Sequence, residues 1–372
     1  MLFESFLERG INQILITTDL RGDNIVALYL LIKHLKIAQD NGLSFENLKF
    51  NFIVGEGTNI ELKKQRLQIL LDKWRFRKTF NIDYHIWDGF GSDKEYLDEG
   101  TSTFTKEEIT QFSRKPTTKY NQYVPSEHSL YRLAHYLTEE EDNLLIISLK
   151  PMTELIWLFE NGAFENCEAI YFMGYMSFNV RQLFKYTNLY RDAITNFLSF
   201  VNEVYLYETY IAIGSNNNVT SLDINFNIFP EEVLNEIYLW NYHCYHDCLR
   251  SLSKYFSEYQ NISEENIDAL ELSDDLKDNL KRDLKVVNSI KGYMLSQFVN
   301  ADPAIIYWLF TEDDLMTWEF NVRGYVTFTP KGYTKLKFDP RYTSKPMMLT
   351  SEDDEERKEL RDLQIKFYKD SL

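Results

Sequence analysis

Cysteine is scarce in this chain. Only Cys167, Cys244 and Cys248 occur in 372 residues, too few and odd in number for a disulfide framework, so a reducing compartment is expected. Proline and glycine are sparse too, at 8 and 14, and no Pro/Gly/Ser-rich stretch marks a linker between separate domains. No run approaches the roughly 18 apolar residues of a membrane span. The opening segment Met1 to Arg9 carries Glu4 and no sustained apolar run, unlike a secretory signal. These absences lead us to expect an intracellular, cytoplasmic protein with no membrane partner. Positive charge is the other shortage: 40 Lys+Arg against 57 Asp+Glu leaves a net charge of −17. Such a surface repels phosphate backbones and argues against a nucleic-acid partner.

What is present is apolar and aromatic. Hydrophobic residues make up 44% and aromatics 15%, enough surface to bury a large core and to exclude disorder as the main state. Short apolar runs at Ile14–Ile16, Leu48–Val54, Ile82–Trp87, Leu144–Leu149 and Ala169–Met173 read as strands. Helical patterns separate them, over Asn24–Ala38, from the cap Asn59 through Leu71, over His128–Leu137 and over Thr153–Phe159. Strand and helix alternating in this way predict an α/β fold, a mostly parallel central sheet with helices on both faces. The near-continuous apolar strands fit burial on both sides. A Tyr- and Leu-rich helical region begins near Pro230. It reads as a cap inserted at about 228–300 into a single domain of residues 1–350. Alternation between Trp318 and Phe338 predicts a β-hairpin, and 351–372 a charged amphipathic helix that packs loosely.

In doubly wound sheets ligands bind beyond the carboxyl ends of the strands. The first predicted strand is followed by Thr17-Thr18-Asp19-Leu20-Arg21-Gly22-Asp23-Asn24, the second by Gly55-Glu56-Gly57, the fourth by Lys150-Pro151-Met152-Thr153 and the fifth by Met173-Gly174-Tyr175. Asp19, Asp23, Glu56 and the later Asp302 are the acids such a geometry gathers. Carboxylates with amide and backbone oxygens suit a hard cation, Ca²⁺ ahead of Mg²⁺, rather than zinc. Each Asp taken singly reads as an ordinary helix N-cap.

Taken together these segments resemble the nucleoside hydrolases of the inosine–uridine preferring type. The family motif D-x-D-P-G-x-D-D-A is met by T-T-D-L-R-G-D-N-I from Thr17 to Ile25. Its G-N followed by N-A-L is met by Gly55-Glu56 and Gln65-Arg66-Leu67, and its G-P-L-T-N-L-A by Lys150 to Ile156. Its M-G-G is met by Met173-Gly174-Tyr175, and the E-F-N segment by Tyr186-Thr187-Asn188 with Asp192 and Ala193. Its late H-D-P-L-A is met by Ala301 to Ile305. The matches are degraded, but they run in order from about residue 11 to residue 310.

The resemblance implies hydrolysis of the N-glycosidic bond of a ribonucleoside or related ribosyl compound. It makes Asp19 the general base and a metal ligand, with Asn24, Thr153 and Asp302 completing the site for Ca²⁺. Asp23, Asn188, Asn179 and Glu56 fall where the family grips the sugar. Tyr238, Tyr242 and His243 fall in the region that faces the base, and a homo-oligomer is in keeping with the family. Departures are plain. Asn24 and Thr17 replace acids, Glu56 an asparagine, Arg21 and Lys150 glycines, and Ala301 a histidine. A pseudoenzyme that binds but does not hydrolyse is therefore the alternative. Arg21 and Lys150 either neutralise a phosphate at the rim, or they point to solvent or pair with Glu56 and Glu154. His243, Cys244, His246 and Cys248 could hold zinc, but no second ligand pair is evident and core packing is the plainer reading.

Overall fold

In a computed structural model of the chain, the described residues are 2–20, 22–55, 60–90, 126–139, 143–150, 152–164, 166–173, 193–207, 233, 252, 254–256, 262–290, 302–311, 323–328, 334–349 and 354–370. The elements are α1 Leu2–Glu8, β1 Ile11–Thr18, α2 Gly22–Asp40, β2 Lys49–Val54, α3 Ile60–Lys73, α4 Phe76–Phe80, β3 Tyr84–Asp88, α5 Ser126–Glu139, β4 Asn143–Ser148, α6 Thr153–Glu160, β5 Cys167–Met173 and β6 Glu203–Tyr207. They continue with α7 Glu264–Asp268, α8 Asp274–Ile290, α9 Asp302–Phe310, β7 Gly324–Phe328, β8 Thr334–Phe338, β9 Lys345–Leu349 and α10 Asp354–Asp370.

Seven strands form one sheet in the order β3-β2-β1-β4-β5-β6-β9, and every pairing within it is parallel. The order runs outward from β1 through β2 to β3, then reverses to β4 on the other side of β1. In doubly wound sheets the ligand crevice lies at such a reversal, which here falls between the carboxyl ends of β1 and β4. Parallel strands need covering on both faces, and the side chains alternate accordingly. Ile14 and Ile16 of β1 join Leu145 and Ile147 of β4 in one core, with residues of α1, α2, α4 and α9. Leu15 and Ile146 face the other way, into a core with Leu130, Leu133, Leu155, Leu158 and Phe197.

The expected α/β architecture is present, and so is the hairpin: β7 and β8 pair antiparallel. Two strands escaped the sequence pattern. In β6 the residues alternate Val204 and Leu206 into one core with Tyr205 and Tyr207 into the other. In β9, Pro346 lacks an N–H, which a strand tolerates at the sheet edge where β9 lies. The carboxyl-terminal helix does not pack loosely. Phe367 of α10 stacks on His34 with ring centroids 3.9 Å apart and planes 3° from parallel. Gln364 hydrogen-bonds the Tyr207 hydroxyl, and Gln364 and Tyr368 are buried. The spacing 364, 367, 368 places these three on one helical face, a seam that the surrounding charge obscures in the sequence.

Burial lowers the His34 pKa to about 4. The unfolded chain takes up the proton near 6.5 while the folded chain does not, so stability is full above that value and falls as the pH drops toward 4. Between pH 7 and pH 5 the loss attributable to His34 is about 2 kcal/mol. Urea unfolding of wild type and His34→Leu at the two pH values should show the variant losing that much less.

Candidate functional site

Asp19 and Asn24 arrive at the crevice from adjoining elements. β1 ends at Thr18, and Leu20 turns the chain in the left-handed region at φ 58°, a conformation that costs a non-glycine residue roughly 1 kcal/mol or more and recurs at functional sites. Leu20 N–H donates to Thr18 Oγ1 at 3.0 Å, which fixes the turn. α2 then begins at Gly22 with Asp23 in its first turn, where the positive end of the helix dipole favours a carboxylate. Asp302 comes from 278 residues further on. It opens α9, an apolar helix whose every residue is buried and which packs along α2. Pro303 sits in its first turn, where the missing N–H leaves no bond unmade.

Asn24 ties the carboxylates of Asp302 and Asp23 to the backbone of the turn at Asp19. Its side-chain oxygen accepts from the Thr18 hydroxyl at 2.6 Å and from Asp19 N–H at 3.2 Å. Its Nδ2 donates to Asp302 Oδ2 at 2.5 Å and to Asp23 Oδ1 at 3.4 Å, and Asp23 Oδ1 also accepts from Asn24 N–H at 3.1 Å. Asn24 is 2% exposed, Asp19 5% and Asp302 6%, so these polar groups meet away from bulk water. Of the four residues expected to surround a cation, the structure brings Asp19, Asn24 and Asp302 together. It places Thr153 at the start of α6, beyond the carboxyl end of the neighbouring β4. As arranged, the group does not fit a cation, because Asn24 turns N–H bonds rather than an oxygen toward the Asp302 and Asp23 carboxylates. Among the described residues no cluster of three or more His, Cys, Asp or Glu is arranged to hold a metal.

A second buried cluster underlies the crevice. Lys150 and Glu154 form an ion pair with side chains 2% and 1% exposed, so Lys150 takes the expected pairing with Glu154 and does not point to solvent. Glu154 Oε1 also accepts from Phe90 N–H at 2.8 Å. The carboxylate is wedged against two glycines: a Cβ on Gly55 would lie 2.2 Å from Oε1, and one on Gly89 2.4 Å from it. Gly55 follows β2 and Gly89 follows β3, so one carboxylate anchors three chain segments leaving the carboxyl edge. The sequence offered the Lys150–Glu154 pair, at i, i+4 spacing, but not the anchoring of three segments by its carboxylate. A further buried pair, Lys64 with Asp88 at 2.7 Å, lies at the end of β3. Burial raises the Asp88 pKa and Lys64 opposes that shift.

Arg21, Glu56, Asn179, Asn188, Tyr238, Tyr242, His243, Cys244, His246 and Cys248 lie outside the described residues. Cys167 is buried in β5. No helix among the described residues is long and apolar enough to cross a membrane.

An all-parallel sheet whose strand order reverses at β1, with acids at the carboxyl edge of the reversal, defines a doubly wound α/β protein. No family model matches the chain, and no curated protein matches it. Solved structures do. The chain is similar to the effector protein XOO4466, with 15% identity, 100% of this chain and 98% of that one covered, and a TM-score of 0.53. It is similar to the type III effector XopQ solved with adenosine diphosphate ribose, at 12% identity, coverage of 100% and 99%, and a TM-score of 0.52. It is also similar to the inosine-uridine preferring nucleoside hydrolase from Bacillus anthracis, at 11% identity, coverage of 97% and 100%, and a TM-score of 0.48. The expected α/β fold, a parallel central sheet with helices on both faces, is borne out, and the chain shares it with these two effectors at low sequence identity.

Proposed function

We propose that this protein binds a ribosyl compound in the crevice between β1 and β4 and hydrolyses its N-glycosidic bond, with Asp19 as general base and Asp23 on the sugar hydroxyls. The supporting observation is the meeting of Asp302 with the Asp19–Asn24 turn across 278 residues of sequence at the topological switch point. Glycosidic cleavage passes through an oxocarbenium-like state, which carboxylates beside the sugar stabilise. A carboxylate held at the edge of the site takes the proton from the attacking water. No step is assigned to a cation. Glu56, Asn179 and Asn188 complete the sugar contacts in this reading, with Tyr238, Tyr242 and His243 facing the leaving group. That XopQ, of similar fold, was solved with adenosine diphosphate ribose supports a ribosyl ligand and admits one that carries phosphate.

A second reading keeps the pocket and drops the turnover. It is favoured by Asn24, which stands where the resembled motif has an acid and donates to Asp302. The test is release of free base or reducing sugar from a panel of nucleosides and adenosine diphosphate ribose, with calorimetric binding measured alongside. Turnover supports the first reading, and saturable binding without turnover supports the second. A protein that neither binds nor cleaves any of them loses both.

A further inference from the structure

We propose that the Asn24 carboxamide takes the place of a divalent cation in this chain, so that the acidic cluster of the wild-type protein is held by hydrogen bonds and binds neither Ca²⁺ nor Mg²⁺ appreciably. The orientation of the amide is set by its partners. Its oxygen receives two donors, the Thr18 hydroxyl and Asp19 N–H, and its nitrogen faces two acceptors, the carboxylates of Asp302 and Asp23. Turning the group over would aim its oxygen at two carboxylates and its hydrogens at a backbone N–H. All the favourable contacts except that to the Thr18 hydroxyl, which can itself rotate, would become repulsive.

A hard cation shared by this cluster requires every ligand to present an oxygen lone pair to one point. The single side-chain oxygen of Asn24 is turned back toward the end of β1. The direction toward Asp302 and Asp23 is filled by two N–H bonds carrying partial positive charge. Those bonds do for the two carboxylates part of what an ion would do, at a point where Asn24 and Asp302 are nearly excluded from water. Asparagine is thus not a weakened ligand in this chain; it is a donor to both carboxylates.

Asn24→Asp replaces the amide nitrogen with an oxygen at the position now 2.5 Å from Asp302 Oδ2. Two carboxylate oxygens cannot share that separation without a proton or a cation between them. The variant should therefore need a counterion and recruit one from solution. The inference rests on the proposed ribosyl site only for the location of the pocket. Its test uses the metal ion alone, so a protein that fails to bind nucleosides still gives a readable result.

The full-length protein, stripped with chelator, is titrated with Ca²⁺ and separately with Mg²⁺ by calorimetry, and its melting temperature is followed with and without the ion. For wild type we expect no binding tighter than roughly 1 mM, the weak end of protein calcium sites, and a melting temperature unmoved by Ca²⁺. For Asn24→Asp we expect Ca²⁺ binding at least about 100-fold tighter, with a melting temperature that rises with ion concentration because only the folded state binds. Micromolar Ca²⁺ binding by wild type that disappears in Asp302→Asn overturns the proposal, and that measurement holds even where Asn24→Asp does not fold. A folded Asn24→Asp protein that binds Ca²⁺ no better than wild type overturns it equally.

Discussion

Glu154→Ala should destabilise the protein by about 3–5 kcal/mol, because it leaves a buried ammonium without its counter-charge. The Lys150 side chain is 2% exposed, so it cannot swing into water without moving the chain around it. The same substitution removes the acceptor of Phe90 N–H and leaves a second buried donor unmet. Glu154→Gln keeps the Phe90 contact and should recover part of that loss. Replacing the pair together, Lys150→Met with Glu154→Leu, removes both charges and should recover most of it, since apolar residues of similar volume often substitute for a buried ion pair without penalty. Urea unfolding of the single and paired variants measures the coupling. Gly55→Ala offers an independent check. Its Cβ would fall 2.2 Å from Glu154 Oε1, and the carboxylate, held by Lys150 and Phe90 N–H, has no free direction in which to retreat. A Glu154→Ala protein within 1 kcal/mol of wild type would show that the ion pair does not anchor the strand ends as described.

The same residues show how far the sequence carries. β1, β2 and β4 are legible because their runs are apolar on both faces and sit between helical patterns, which only a covered parallel sheet explains. β9 is not legible, because Pro346 and its short length are tolerated by position at an edge, and position is a tertiary fact. Tyr205 and Tyr207 hide β6 in a similar way: a tyrosine reads as half-exposed until a covering helix buries it. The meeting of Asp302 with Asn24 was legible through the order of the motifs, since helix α9 must return an acid to the edge from which α2 starts. The direction of the Asn24 amide was not. Sequence supplies the residue type, and only the arrangement of Thr18, Asp19, Asp23 and Asp302 around it decides which end points where. Lys150 was left with two roles for the same reason, because the depth that selects Glu154 as its partner comes from Gly55 and Gly89 closing over the pair.

Asp19→Asn should lower the rate of N-glycosidic hydrolysis by roughly 10²–10⁴-fold, the range removed with a positioned general base, while leaving the fold and ligand affinity nearly as they are. The substitution is close to isosteric. The backbone N–H of residue 19 still donates to Asn24 Oδ1, and Thr18 still holds the turn through Leu20 N–H. What changes is the capacity to take a proton at the end of β1, so kcat should fall with little change in KM. Asp23→Asn should show the opposite split. Asp23 sits in the first turn of α2 and is assigned to the sugar hydroxyls, so its loss weakens ground-state and transition-state binding together and raises KM more than it lowers kcat. Equal turnover in wild type and Asp19→Asn would remove Asp19 from the chemistry. A binding-competent wild type with no turnover to lose would instead assign the crevice to recognition alone, the outcome that the Asn24 donor to Asp302 favours.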